Sequence, residues 1–342
     1  MSRHVNIPIF IPHLGCPNQC VFCNQKTISG VCEFDPSRLS KIINESLETV
    51  DADDEVEIAF FGGSFTGIDR ELMTSILDVA YNYIKAGKVS SIRCSTRPDY
   101  IDKEVLEILS KRGVKHIELG LQSISERVLL ASKRGHTCAD AEKACKMIID
   151  FGFQLVGQMM IGLPESTPED ELQTARFIVK SGASGARIYP TVVFRDTELC
   201  NMAECGEYMP LSVDEAVERS ARVYSVFFDN NIDVIRIGLC SSENLSSNET
   251  YYSGPNHPAI GELVLNKFYY EKIIESARCI SLTQNDILKV KVAKGSLSKA
   301  IGQKKTNKIL LKKELKIKDA VFEECDTVGF GEVLLENYSG EK

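Results

Sequence analysis

The sequence predicts an α/β protein with a partial or complete α/β barrel and a small C-terminal α/β domain. Short apolar runs alternate with amphipathic helical stretches six or seven times over about the first 240 residues. This alternation is typical of βα units that build a parallel sheet. Glycine-rich or polar residues follow several of the apolar runs directly, where barrel enzymes form their active sites. After residue 240 the alternation stops.

The elements are assigned in chain order from apolar periodicity and from the residues that interrupt it. Pro8 and Pro12 argue against a helix in the first run, Pro98 ends the third strand, and Gly113 and Gly152 stop two helices. The predicted strands cover residues 6–12, 56–61, 91–96, 116–121, 155–161, 186–189 and 234–237. The predicted helices cover residues 41–50, 70–86, 102–111, 139–150, 169–180 and 213–229.

Composition excludes several broad classes. The 342 residues carry a net charge of -8 with pI ≈ 5.4, so the whole molecule is no generic nucleic-acid binder and we expect no DNA partner. The N-terminus has no secretory h-region, and no apolar run approaches the ~18 residues of a membrane span. Twelve cysteines in such a chain favour a reducing compartment. We therefore expect a cytoplasmic protein with no membrane contact.

Three cysteines, Cys16, Cys20 and Cys23, fall within eight residues directly after the first strand. Three thiolates at this spacing can hold three corners of an iron–sulfur cube and leave the fourth iron open. Zinc would need a fourth ligand, and the nearest candidates, His13 and Cys32, are poorly spaced for it. Three unrelated cysteines are the remaining interpretation, which the polar neighbours disfavour. A [4Fe–4S] cluster with one open iron fits best.

The CxxxCxxC pattern, with Phe22 before its last cysteine, resembles the radical S-adenosylmethionine enzymes over about residues 5–240. The resemblance implies a partial (β/α)6-type TIM barrel in residues 1–240. It also implies that S-adenosylmethionine chelates the open iron and that the reduced cluster passes it one electron, which gives methionine and a 5′-deoxyadenosyl radical. A one-electron donor such as flavodoxin or ferredoxin is then a required partner.

The same resemblance assigns a first group of S-adenosylmethionine contacts. Gly62, Gly63 and Ser64 match the glycine motif after the second strand, whose exposed amides would bind the methionyl group. Ser64 stands where the family more often has Glu. Arg97 or Arg93, near the end of the third strand, would neutralise the cofactor carboxylate, although a surface salt bridge is an equal alternative for each.

A second group follows the fourth and fifth strands. Gln122, with the adjacent Ser123, resembles the position that contacts the ribose or carboxylate. Gln158 stands where coproporphyrinogen dehydrogenases, a branch of the family, often carry an acid for the ribose. The turn Gly162-Leu163-Pro164 resembles the one over the adenine. For the glycine motif after the second strand, an ordinary strand-end turn remains the alternative.

Residues 91–101, 117–123 and 188–190 look like the radical domain of the Elongator catalytic subunit, a tRNA-modification enzyme. No acetyltransferase segment is recognisable in the roughly 100 residues that follow, so wobble-uridine modification does not transfer directly. Residues 257–263 resemble a segment that is characteristic of proteins classified near the oxygen-independent coproporphyrinogen oxidases. Within them, a helix-start role for His257 is favoured over a catalytic one.

The C-terminal domain is assigned to residues 241–342, with a linker and helix over 241–280 and a basic part over 281–342. Residues 286–318 hold eleven lysines against two acids, a local charge of +9. The segment looks like a KH-type element, in which a GxxG loop between two helices clamps a nucleic-acid backbone. Gly302 is present, but Lys305 replaces the second glycine. RNA, such as tRNA, is therefore a candidate partner, with a solvated lysine face as the alternative.

Three functions remain open on the sequence. The first is a radical S-adenosylmethionine enzyme that acts on RNA. The second is a radical enzyme that acts on a small molecule related to porphyrins. The third is a non-enzymatic iron–sulfur or RNA-binding protein. Production of 5′-deoxyadenosine by the reduced protein would exclude the third.

Overall fold

A computed structural model describes residues 3–11, 14–16, 20–24, 34–239 and 249–338. Seven parallel strands form one curled, open sheet in which neighbours in the chain are neighbours in the sheet. The strands are β1 (His4–Ile11), β2 (Glu55–Gly62), β3 (Ser91–Thr96), β4 (Val114–Gln122), β5 (Gln154–Ile161), β6 (Gly185–Pro190) and β8 (Asp233–Ile237). This confirms the predicted partial barrel. It also places every strand's carboxyl end on one rim.

The helices of the barrel begin where the sequence supplies capping side chains. Thr137, Thr167 and Ser212 each form a capping box with the acidic residue three positions later, which satisfies backbone donors that the first turn leaves free. The helices are α1 (Leu39–Leu47), α2 (Arg70–Lys85), α3 (Lys103–Lys111), α4 (Glu126–Ala131), α5 (Cys138–Asp150), α6 (Pro168–Lys180), α7 (Glu198–Glu204) and α8 (Val213–Asp229). The two shortest, α4 and α7, were not predicted because they span too few turns for a clear periodicity.

The two faces of the sheet differ in chemistry because successive side chains point to opposite sides of a strand. The face toward the helices is apolar and fully buried, as at Ile58, Ile117 and Ile188. The face toward the barrel lumen carries buried charges, such as Arg93 and Glu118. An apolar outer layer therefore holds the fold together around a polar interior.

The C-terminal part packs against the barrel through one long helix. It contains β9 (Tyr251–Ser253), α9 (Ile260–Ala277), β10 (Ile287–Val292), α10 (Leu297–Ile301), α11 (Thr306–Glu314), β11 (Asp319–Glu324) and β12 (Val333–Tyr338). The short strand β9 pairs with β7 (Val193–Phe194). Strand β10 is the centre of a three-stranded sheet, parallel to β11 and antiparallel to β12. Helix α9 contacts both α8 and this sheet.

The predicted division at residue 240 falls in a segment, 240–248, that lies outside the described residues. The predicted linker therefore stays a prediction. In the part of the chain that the structure describes, no helix combines the length and the apolar character that crossing a membrane requires.

Candidate cluster and cofactor site

The three cysteines lie just beyond the carboxyl end of β1. Cys20 is 8% exposed, whereas Cys16 and Cys23 are half-buried. His13 and Cys32, which the sequence offered as alternative ligands, lie outside the described residues. Among the residues described, no three His, Cys, Asp or Glu side chains are grouped so as to hold a single metal ion.

The second half of this cysteine loop is fixed from two sides. The backbone N–H of Val21 donates to the carbonyl of Ser132 after α4 (3.3 Å), and its carbonyl accepts from Leu199 in α7 (2.8 Å). Phe22 packs against a small apolar cluster that contains Leu199 and Tyr208. The two short helices absent from the sequence prediction thus hold the loop, and Phe22 joins it to them.

The first half of the loop lies directly on the glycines after β2. A Cβ on Gly63 would lie only 2.2 Å from the carbonyl oxygen of Leu14. The N–H of Gly63 already donates to the carbonyl of Ile11 (2.7 Å), and Gly62 has φ +107°. These glycines are therefore needed for close contact between backbones, and one of their amides is engaged within the protein. Binding of the methionyl group at Gly62 and Gly63 stays a prediction.

Ser64 connects the cysteine loop to β3. Its side chain is 1% exposed, and its Oγ lies 2.9 Å from Oγ1 of Thr96 and accepts from the N–H of Arg97. Burial raises the pKa of the Cys16 thiol, and a backbone hydrogen bond from Ser64 together with the charge of Arg97 opposes that rise. The serine hydroxyl thus serves the β2–β3 junction, while its backbone faces Cys16.

Two arginines face the sulfur of Cys20. Nη1 of Arg134 lies 3.2 Å from Sγ of Cys20, and its Nη2 donates to the carbonyl of Gly120 (2.6 Å). Nη1 of Arg97 lies 3.9 Å from the same sulfur, although Arg97 also pairs with Asp99 at 2.9 Å. Arg97 was predicted near the cofactor. Arg134 was not, because it follows a short helix that the sequence pattern does not reveal.

Arg134 shows that this site suits an anionic group. Its side chain is buried, with 5% of the residue exposed, and among the described residues it pairs with no carboxylate. A buried cation without a counter-charge is strongly destabilising. A thiolate at Cys20, as in an iron–sulfur cluster held by cysteines, supplies that charge. The residues present therefore fit a cluster at this loop.

Gln122, also at the rim, has an unusual backbone conformation and an unpaired side-chain oxygen. Its φ is 66°, in the left-handed region that non-glycine residues rarely adopt. Its Oε1 is buried and has no hydrogen-bond partner within the described chain, at a strand irregularity between Gly120 and Gln122. Backbone strain and an unsatisfied acceptor at one residue are features of ligand-binding positions. Ser123, by contrast, uses its Oγ to accept from the N–H of Ser125.

Below the rim, a charged network occupies the lumen. Glu118 is fully buried and contacts Arg93 (3.0 Å), Arg187 (2.8 Å) and Gln158 (2.6 Å). Gln158 is thereby held a layer deeper than Gln122. Arg93 also pairs with Glu57 at 2.7 Å. The alternative of a surface salt bridge is therefore wrong for Arg93, which lies inside the barrel because its register position faces the lumen.

Glu118 and Arg187 were missed as site residues, although the sequence held a signal. Each is a charged residue flanked by apolar residues inside a strand, and a charge on a strand buried on both faces requires a partner. Glu57 has the same pattern. Burial raises its pKa, but a hydrogen bond from His116 and the charge of Arg93 outweigh this and lower the pKa to about 2.

The turn after β5 is supported from the outside. The N–H of Gly162 donates to Glu171 (2.7 Å), and its carbonyl accepts from the hydroxyl of Tyr208 (2.6 Å). Leu163 and Pro164 are buried. Tyr208 also belongs to the cluster that packs on Phe22, so it connects the cysteine loop to this turn. Contact of the turn with adenine stays a prediction.

The C-terminal candidates lie apart from the cysteine loop in the chain and in the elements they contact. Nδ1 of His257 accepts from the N–H of Ala259 (3.1 Å) just before α9, an arrangement of a helix start. Five of the eleven lysines pair with carboxylates, and these are Lys289, Lys291, Lys294, Lys308 and Lys312. The lysine-rich segment is therefore only partly free to meet a partner.

The fold and the site define an open α/β barrel with a thiol loop at the carboxyl rim of its sheet. Comparison with known families agrees with this class. Residues 10–178 match the Radical SAM superfamily, and residues 183–270 match the Radical SAM C-terminal domain. The chain belongs to the radical SAM superfamily, whose cofactors are a [4Fe–4S] cluster and S-adenosylmethionine. The predicted family, cofactors and enzyme class are thus confirmed.

Curated relatives include archaeal and eukaryotic proteins. The tRNA uridine(34) acetyltransferase of Methanocaldococcus jannaschii is 28% identical over 244 residues, covering 59% of this chain and 45% of that protein. Human Elongator complex protein 3 is 28% identical over 193 residues, covering 51% and 35%. The chain thus spans less than half the length of these two relatives.

A solved structure shows the same fold. The Elp3 protein of the archaeon Methanocaldococcus infernus, shortened at its N-terminus, superposes with a TM-score of 0.62. The match is 22% identical and covers 82% of this chain and 66% of that one. The overlap supports a common barrel architecture.

Proposed function

We propose that this chain reductively cleaves S-adenosylmethionine and uses the resulting radical to modify RNA, with tRNA as the first candidate. The observation that carries the proposal is the similarity of the barrel to a tRNA uridine(34) acetyltransferase and to Elongator complex protein 3. These relatives are named for tRNA and for the Elongator complex.

In this proposal Cys16, Cys20 and Cys23 hold the cluster at the rim. When bound, the cluster and S-adenosylmethionine supply the one-electron and radical chemistry, with flavodoxin or ferredoxin as the electron donor. Arg134 and Arg97 stabilise the negative charge at Cys20.

The remaining predicted residues position the nucleoside and methionyl parts of S-adenosylmethionine. Gln122 offers a buried oxygen with no partner among the described residues, which can accept from a hydroxyl or an amine. Gly62 and Gly63 keep the cysteine loop close to β2. Leu163 and Pro164 present apolar surface next to the rim, which excludes water from a reactive site.

The lumen disfavours a mostly apolar substrate. Arg93, Glu118 and Arg187 are charged and buried there, and they pair with one another and with Glu57. A substrate group that reaches them must be polar or charged, and RNA meets this requirement.

The test is anaerobic reconstitution with iron and sulfide, chemical reduction, and incubation with tRNA from a deletion strain. We expect 5′-deoxyadenosine and a new nucleoside mass in the tRNA. Cys20→Ala should abolish both, whereas Cys138→Ala, at a half-buried cysteine that begins α5 and is not a predicted cluster ligand, should leave both intact. Cleavage of S-adenosylmethionine with no change in any RNA, but with a changed metabolite, would contradict the RNA assignment.

A further inference from the structure

We propose that the C-terminal part binds the backbone of single-stranded RNA at a basic turn, residues 302–305, and on the adjoining exposed face of α11. This inference rests on the proposed function, because it names the surface that holds the RNA. Residues 271–338 lie beyond both family matches, so no assignment covers this turn.

The connections around the turn are those of a KH-type element. Strand β10 leads into α10, the basic turn, α11 and then β11, and β10 and β11 are parallel neighbours. In such elements the loop between the two helices clamps the nucleic-acid backbone. The structure therefore places residues 302–305 where that loop belongs, and Lys305 occupies the position of the second glycine.

Two consecutive lysines of the turn are held in a strained conformation. Lys304 has φ 53° and Lys305 has φ 63°, both in the left-handed region, which glycine adopts without strain. Asn307, which is 4% exposed, supports the turn by donating to the carbonyls of Asn266 (2.7 Å) and Ala300 (3.0 Å). Both lysine side chains are present despite this conformational cost, which points to a function for their charge.

The unpaired charge of the segment is concentrated at the turn and at the C-terminal end of α11 with the residues that follow it. The paired lysines of β10, Lys289 and Lys291, meet Glu323 and Glu336 on the exposed face of the sheet. By contrast, several exposed lysines form no ion pair with any described carboxylate, and these are Lys304, Lys305, Lys313, Lys316 and Lys318. A positive patch without local counter-charges attracts phosphates.

Apolar side chains lie between these lysines. Ile309 is 61% exposed and Leu310 is 41% exposed. Along α11, Ile309 and Lys313 are four residues apart, so they share one face of the helix, and Lys305 lies directly before the helix begins. Lysines can reach phosphates while the aliphatic side chains contact bases. That combination requires bases that are accessible, as they are in single strands and loops but not within a duplex.

The test compares two double variants of the full chain that remove the same number of charges. Lys304→Gly with Lys305→Gly removes the unpaired lysines, while Lys289→Gln with Lys294→Gln removes two that are paired with Glu323 and Asp326. Binding to tRNA from the deletion strain is measured between about 50 and about 200 mM salt. Thermal stability and RNA-independent cleavage of S-adenosylmethionine are measured in parallel.

We expect the glycine variant to bind tRNA about tenfold more weakly, with a salt slope reduced by ~0.7 for each lost phosphate contact. Its melting temperature should rise because glycine relieves the left-handed strain. Cleavage of S-adenosylmethionine should be unchanged. The control variant should bind tRNA nearly as the wild type does.

Three outcomes would contradict the proposal that RNA binds at this turn. If both double variants bind tRNA like the wild type while tRNA is still modified, the site is wrong and the proposed function stands. If the glycine variant instead slows reduction by an acidic flavodoxin with tRNA affinity unchanged, the turn docks a protein. If the wild type neither binds nor modifies tRNA, the proposed function fails and this site fails with it.

Discussion

Arg134 and Cys20 are joined by a hydrogen bond of 3.2 Å from guanidinium to sulfur, at the loop where we propose that the cluster binds. Arg134 also donates to the carbonyl of Gly120 (2.6 Å), two residues before Gln122. One buried side chain thus connects the cysteine loop with the strand end that carries the strained glutamine. This relationship leads to the first two predictions.

Replacing Arg134→Gln should make the reduction potential of the cluster more negative. A positive charge beside the sulfur stabilises the reduced cluster, which carries one more negative charge, and hydrogen bonds to cluster sulfurs also set the potential. Loss of a charged hydrogen bond of roughly 1.5–3 kcal/mol should also lower cluster content. An EPR-monitored redox titration measures the potential.

The control for this variant is Arg127→Gln, which removes an exposed arginine paired with Glu165 and Asp170. It should leave the potential unchanged. If Arg134→Gln also leaves it unchanged, Arg134 has only a packing role.

Replacing Gln122→Gly should stabilise the fold and weaken S-adenosylmethionine binding. Glycine accepts the left-handed backbone without the ~1–2 kcal/mol that an L-residue loses there, so the melting temperature should rise. Loss of the amide should lower affinity for S-adenosylmethionine about tenfold. Denaturant unfolding and calorimetric titration give the two values.

Asn231→Gly, at φ 56° after α8, is the matched control. It relieves the same type of strain far along the chain from the cysteine loop and should leave affinity for S-adenosylmethionine unchanged. Unaltered affinity in Gln122→Gly would show that Gln122 makes no contact with the cofactor.

Replacing Gly63→Ala should displace the cysteine loop. The new methyl group would overlap the carbonyl oxygen of Leu14, and because backbone lies on both sides, the loop must move. We expect a severe loss of reconstituted cluster, measured by iron content and visible absorbance. Gly87→Ala has φ +69° but nothing within 4 Å of the new Cβ, so it should cost only about 1 kcal/mol and retain the cluster. Equal cluster content in both variants would contradict the close contact.

Replacing Glu118→Gln should destabilise the barrel strongly. The substitution leaves Arg187 buried without its carboxylate, and Arg93 keeps only Glu57. Breaking a buried ion pair in this way costs about 3–5 kcal/mol, which urea unfolding would detect. Glu165→Gln, at an exposed ion pair, should cost less than about 1 kcal/mol. If both variants lost a similar amount of unfolding free energy, water would have to reach the charges in the lumen.

His136 should make stability depend on pH between about 6.5 and 4. Burial, with the nearby charge of Arg134, lowers its pKa to about 4, and neither ring nitrogen has a hydrogen-bond partner within the described chain. The unfolded state therefore binds a proton first as pH falls from about 6.5, and stability decreases until pH reaches about 4. The full loss is about 3 kcal/mol.

Unfolding of the wild type and of His136→Phe at pH 8, 6 and 4 measures this effect. The variant should lose less stability between pH 8 and pH 4. Parallel pH profiles for the two proteins would assign the acid sensitivity to other groups.

The barrel was predictable because its signals are local. Helix α8 was assigned with its observed bounds, since apolar periodicity and the capping residue Ser212 mark it. The polar residues that are buried without a counter-charge or held in a left-handed conformation were not predictable in the same way. Arg134 acquires its meaning only from the contact with Cys20, which is 114 residues away in the chain. The left-handed backbone of Gln122 and Lys304 likewise depends on tertiary contacts, because their residue types favour other conformations.

The C-terminal strands β11 and β12 escaped assignment for a related reason. They flank β10 on either side, and their outward side chains mix charges with apolar residues such as Val321 and Leu334. Such edge strands lack the continuous apolar run of a central strand. Their pairing with β10 is visible only once the register is known.

Helix α9 is shared between the barrel and the C-terminal sheet. Phe268 packs against Tyr224 and Phe228 of α8, while the hydroxyl of its neighbour Tyr269 accepts from the N–H of Gly331 (2.9 Å). During synthesis, α9 leaves the ribosome about 60 residues before β12 does. The apolar face of α9 that contacts β12 therefore stays exposed until β12 has been synthesised. A nascent chain stalled after α9 is thus expected to bind chaperones.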